Sequence, residues 1–132
     1  MKKYTIIVSV VVIILVLVGL GFLFVKKNKT PEKPTQEVIT ELLSKKYNKA
    51  TNEISIEVQN DTGKFAKGLY NETKIGGDRG VWFAAKNKQG WELVFDGNGI
   101  ITCELANKYN FPTEVIPQCL EKGTDGFDLI KR

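Results

Sequence analysis

The sequence predicts an α+β fold: one helix packed on a four-stranded antiparallel meander, preceded by an N-terminal transmembrane helix and closed by a disulfide-clasped C-terminal segment. Three observations predict it. Residues 4–25 form an uncharged apolar run, helical spacing gives way to strict alternation after residue 48, and two cysteines bracket a proline-containing segment near the end. The chain has 132 residues, room for one small domain once the apolar run is set aside.

The run "YTIIVSVVVIILVLVGLGFLFV" spans 22 residues. As a helix it would reach about 33 Å, the thickness of a hydrocarbon core. Its valines and isoleucines favour a strand in water, but in lipid every amide must be satisfied within the segment, which leaves a helix. A cleaved signal peptide is the competing reading. The run exceeds the usual apolar core of about 7–15 residues, and "GFLFVKKNK" offers bulky residues and lysines where a small-x-small cleavage site belongs. Residues 1–25 therefore read as a signal anchor with a short basic N-terminus, its partner the lipid bilayer through residues 4–25.

Charge divides along the same line. Lys2, Lys3, Lys26, Lys27 and Lys29 are five of nineteen basic residues; the other fourteen face all fifteen acids within residues 31–132, a net of −1. The basic pI belongs to the membrane flanks, where lysines suit anionic headgroups. A nucleic-acid footprint needs a basic stripe on the domain itself, and none is present. The lysine counts on the two sides nearly tie, with the C-terminal flank slightly richer, which alone favours a cytoplasmic domain. The very short N-terminus and the paired cysteines favour the opposite: a single-pass protein of the cytoplasmic membrane with its C-terminal domain outside.

Residues 26–35 read as a polar tether, stiffened by Pro31 and Pro34 and extending about 3.1 Å per residue. Residues 36–132 form the domain. Thr35 is the expected helix cap, and Val38, Ile39, Leu42, Leu43 and Tyr47 fall on one stripe that ends near Asn48. Ile54, Ile56 and Val58 then alternate with Ser55, Glu57 and Gln59, as on a half-buried strand. "NDTG" supplies a turn into a second strand over residues 64–72, where Gly68 marks a bulge or a close backbone contact. The loop "TKIGGDRG" leads to residues 81–86, "VWFAAK", apolar on both faces and so a central strand. "NKQG" turns the chain into "WELVF", with Trp91, Leu93 and Phe95 expected on one face. A helix followed by a meander packs its stripe across the sheet.

This order of a helix wrapped by an antiparallel meander resembles the cystatin-like class of folds. The closing pattern of a tryptophan strand, "DGNG", Cys, "NFP", "IP" and Cys is similar to small anchored extracytoplasmic domains of bacteria and archaea. The resemblance covers most of residues 36–120 and implies no activity.

The stretch "VFDGNGIITCELANKYNFPTEVIPQC" looks most like chemistry. In a calcium loop Asp96 and Asn98 would fill the first and third positions, but Ile100, Ile101 and Asn107 stand where the fifth, sixth and twelfth ligand-loop residues belong. Asp-Gly and Asn-Gly are also what a tight turn requires. The chain contains no histidine, which removes Ser-His and Cys-His triads, and two thiols do not complete a structural zinc site. No metal or cofactor is expected. Cys103 and Cys119 lie sixteen residues apart, unlike a C-x-x-C redox pair, and are read as a disulfide clasp. Two buried free thiols are the alternative.

Two surface features invite a ligand. Trp82 is the candidate contact on the outer sheet face, since a strand apolar on both sides needs a second cover. The glycine-rich loop ending in Arg79 is the other. The leading functional expectation is a membrane-tethered, non-enzymatic domain binding an envelope protein, peptide or polymer. The alternative is a small extracytoplasmic hydrolase or lyase using carboxylates near Asp96 and Glu104. A structural subunit of a larger membrane complex is a third.

Overall fold

The computed structural model describes residues 32–123 and 126–132. The expected anchor at residues 4–25 and the tether as far as residue 31 lie outside them.

Helix α1 spans Thr35–Tyr47. Thr35, expected as its cap, is instead the first helical residue; Pro34 holds the cap position with extended backbone and no side-chain bond. Proline suits that boundary because its missing N–H is one the helix start leaves unpaired anyway. Asn48 ends the helix in the left-handed region (φ 52°), as asparagine does more readily than most residues. Ile39 and Leu43 are fully buried, Val38 and Leu42 partly so.

After a short 3₁₀ turn, Thr51–Glu53, four strands follow: β1 (Ile54–Asp61), β2 (Phe65–Glu72), β3 (Arg79–Asn87) and β4 (Gly90–Gly97). They pair antiparallel in chain order as the meander expected from alternation. Ile54 and Ile56 are buried, with Ser55 and Glu57 exposed. Gly68 sits opposite Val58, where the register of β1 and β2 shifts. A Cβ there would lie 1.8 Å from the Glu57 carbonyl oxygen and 2.7 Å from the Trp82 ring, so only glycine lets the indole lie against β2.

The sheet is covered on both faces. On one, α1 packs over Ile54, Ile56, Ala66, Tyr70, Trp82 and Ala84. Trp82, expected on the outer face, is fully buried in this cluster, and its indole N–H donates to the Leu69 carbonyl at 3.1 Å. On the other face the C-terminal segment supplies the second cover. Helix α2 (Cys103–Lys108) is capped by the Thr102 hydroxyl, which accepts from the Leu105 N–H at 3.3 Å. Strands β5 (Gln118–Lys122) and β6 (Phe127–Lys131) form a separate hairpin. Ile101, Cys103, Ala106, Phe111, Val115, Ile116 and Cys119 pack with Phe65 and Ala85 in a second core.

A bulge sets which β4 side chains meet which core. The register with β3 shifts between Phe83 and Ala84, leaving Val94 as the extra residue. Leu93 joins Trp91 beneath α1, but Val94 and Phe95 both pack toward the C-terminal core. Phe95 thus leaves the face shared by Trp91 and Leu93, contrary to unbroken alternation.

Cys103 and Cys119 form a disulfide, with Cα atoms 4.9 Å apart. It joins the start of α2 to β5, both inside the second core. Closing a loop with a sequence separation of 16 stabilises by about 3 kcal/mol through restriction of the unfolded chain. Reduction is accordingly expected to lower the unfolding free energy by about 3 kcal/mol, measured by urea titration with and without reductant. A loss below about 1 kcal/mol would show that packing alone holds the C-terminal layer.

Candidate functional site

The end of the sheet where β2 finishes, β3 begins and β4 finishes gathers two stretches that are far apart in sequence. "TKIGGDRG" and "DGNG" meet there because Val81 stands opposite Gly97 in the β3–β4 register. Between them lies an open groove of about 440 Å³. Its floor is the cross-strand pair Leu69 and Val81, both half-buried. The neighbouring pair on the same face, Asn71 and Arg79, gives it a polar end. Gly97, Asn98 and Gly99 form a wall.

Glycine is required at one point of this construction. A Cβ on Gly80 would meet the Gly97 carbonyl oxygen at 2.5 Å and the Tyr70 ring at 2.9 Å. Any larger residue would therefore push β4 away from β3 and open the wall. The groove face is the one covered elsewhere by the C-terminal layer, since Leu69 and Val81 alternate in step with Phe65 and Ala85. The layer stops short of this end.

Arg79 is exposed, and its side chain makes no hydrogen bond or ion pair among the described residues. Among the described residues it is also the one charged side chain lining the groove. One neighbouring acid is committed elsewhere. Glu72 bonds to Lys49, which holds the Glu72 carboxyl below its usual range and the Lys49 ammonium above its own.

Asp96 anchors the back of the site. Its side chain is 1% exposed and accepts from both the Lys46 ammonium and the Tyr47 hydroxyl at the end of α1. The Tyr47 hydroxyl also lies 3.4 Å from that of Tyr70, a groove-lining residue. Burial, then the bond to Asp96, pushes the Tyr47 phenol far above the ordinary tyrosine range. The turn residue Asp96 is thus a structural brace between helix and sheet.

Glu104 is exposed in the first turn of α2, in the opposite layer from Asp96. The structure does not bring these two carboxylates together. Glu92 points away from Trp91 and Leu93, as alternation predicts, and accepts from the Tyr109 hydroxyl at 2.6 Å and the Asn87 amide at 3.0 Å. The Tyr109 phenol is raised by that bond to Glu92. Of the two expected contact residues, Arg79 reaches an open surface and Trp82 does not. Leu69, Val81 and Asn71 were not foreseen as site residues; their signal was the position of each opposite a neighbour on a two-sided strand.

No protein-family model, curated protein or solved structure matches the chain.

The two phenols give a pH dependence with a defined sign. Both hold their protons more tightly in the folded state than at the ordinary value of 10.0. Their stabilising contribution is complete below that pH and is lost as pH rises through the folded-state values. Stability to urea should therefore fall above pH 10, and Tyr47→Phe should flatten that fall. An alkaline limb unchanged in both Tyr47→Phe and Tyr109→Phe would show that other groups cause it.

Proposed function

We propose that the chain is a membrane-tethered, non-enzymatic binding domain, held outside the cytoplasmic membrane by residues 4–25, and that its ligand is an envelope protein, peptide or polymer engaged at the Arg79 groove. The observation that carries this reading is a groove assembled from two separate loops, with an uncommitted guanidinium at one end and an apolar floor at the other. Recognition sites commonly combine an apolar surface with a few placed polar groups. Two carboxylates near this end, Glu72 and Asp96, are tied into braces with Lys49 and with Lys46 and Tyr47. Asp96, the carboxylate the sequence offers for acid–base chemistry, is closed off by Lys46 and Tyr47, which supports binding over turnover.

The apolar span and the disulfide support the placement. Cross-links of this kind persist in oxidising compartments, and the span is long enough to cross a bilayer as a helix.

The native cysteines are too buried to report topology, but Ile75, fully exposed in the β2–β3 loop, is a suitable position. Ile75→Cys is expected to react with a membrane-impermeant maleimide on intact cells. Reaction only after lysis would place the domain in the cytoplasm. For binding, a photo-crosslinking residue at Asn98 in the full chain should give an adduct in native membranes, while one at Lys88, in the β3–β4 turn at the far end of the sheet, should not. Equal yields at both positions, or none at Asn98, would remove the groove as the binding place.

A further inference from the structure

We infer that the groove selects a carboxylate carried on a short apolar body, the chemistry of a peptide C-terminus or an acylated amino acid. This rests on the groove being the binding place and adds the class of its ligand. Three features of the groove lead to it.

The first is charge. Among the described residues Arg79 is the sole charged side chain lining the groove. Glu72 is paired with Lys49, and Asp96 with Lys46 and Tyr47, while Glu57, exposed opposite Leu69, lies outside the lining. Asp78, next in the chain, does not line the groove, and its charge adds to the field that keeps Lys49 protonated. A lone guanidinium beside half-buried surface favours an anion that can take two parallel N–H bonds, as a carboxylate does.

The second is the partner of Arg79. Asn71 stands directly opposite it on the same face and brings an amide to the polar end. One cation with one amide balances a monoanion. A phosphate dianion would leave excess negative charge beside a domain whose own net charge is already −1.

The third is the floor. Leu69 and Val81 form the next cross-strand pair, one step inward from Asn71 and Arg79. The two pairs are not adjacent in sequence but are adjacent along the face, because side chains repeat every second residue on a strand. A ligand whose carboxylate meets Arg79 therefore lays whatever the carboxylate is attached to across Leu69 and Val81. An aliphatic stub fits that surface; a bare inorganic anion leaves it wet.

The test uses the full ¹⁵N-labelled chain in detergent micelles, titrated separately with N-acetyl-leucine, N-acetyl-leucinamide, acetate and inorganic phosphate. The expected result is saturable movement of the Arg79, Gly80, Asn98 and Gly99 amide signals with N-acetyl-leucine. Acetate should act at least about tenfold more weakly and the uncharged amide should produce no saturation. Arg79→Gln should weaken N-acetyl-leucine at least about tenfold, with Arg79→Lys intermediate. Equal binding of N-acetyl-leucinamide, tighter binding of phosphate, or binding that survives Arg79→Gln would each overturn the carboxylate assignment. The Asn98 adduct separates this from the broader reading. An adduct retained in Arg79→Gln leaves the groove as a binding place but removes the carboxylate as its ligand.

Discussion

Strand β3 carries apolar side chains in both directions, Trp82 and Ala84 toward α1 and Phe83 and Ala85 toward the C-terminal layer. Neither face can be left to water, so the sheet must be covered twice. The first cover is local in sequence: α1 precedes the sheet and turns straight into it. The second is assembled from a six-residue helix, a turn-rich connection and a two-stranded hairpin, none of which could be stable alone. What makes such pieces a layer is the Cys103–Cys119 bond together with Ile101, Phe111, Val115 and Ile116, which fill the space over Phe65 and Ala85. The cross-link limits how far the unfolded segment can wander, and packing fixes where it lands.

The groove follows from the unequal reach of the two covers. On the α1 side Tyr47, Lys46 and Asp96 close the end of the sheet, and Tyr70 is buried beneath them. On the opposite side the C-terminal layer begins only after β4 has ended and left the sheet through Gly97, Asn98 and Gly99. Leu69 and Val81 are left half-covered, and at the same place the Arg79 side chain has no partner among the described residues. The brace and the groove are therefore two sides of one sheet end. Asp96 fixes the position of β4 from behind while the three residues after it form the wall in front.

Helix α1, the four strands and the clasp were legible because each has a local signature: a 3.6-residue stripe, alternation of period two, and an even pair of cysteines around prolines. The departures all depend on contacts distant in sequence. Trp82 looks equally able to face either way, and only Gly68, fourteen residues earlier, decides the matter by leaving room for the ring. Phe95 changes face because one extra residue at Val94 reverses the alternation, and "WELVF" carries no mark of that bulge. Helix α2 is too short for a periodic stripe. The β5–β6 hairpin leaves Phe127 and Leu129 exposed, so its apolar pattern does not report burial. Arg79 and the "DGNG" turn were each conspicuous, but nothing short of the β3–β4 register shows that they meet.

Electrostatics also limits how such a groove can work. The net positive charge of the chain comes from the five lysines around the apolar span, whereas residues 31–132 carry a net of −1. A single guanidinium on a near-neutral domain does not project a field capable of drawing anions over a distance, because at physiological salt charges are screened beyond about 8 Å. Discrimination has to occur at contact, through the pairing geometry of Arg79 and Asn71 and the fit of the attached body to Leu69 and Val81. Tethering of the kind proposed would change the balance in a different way. Confinement beside a membrane would raise the local concentration of ligands held at the same surface, so that a shallow groove with modest intrinsic affinity would suffice where a freely diffusing domain needs a deeper one.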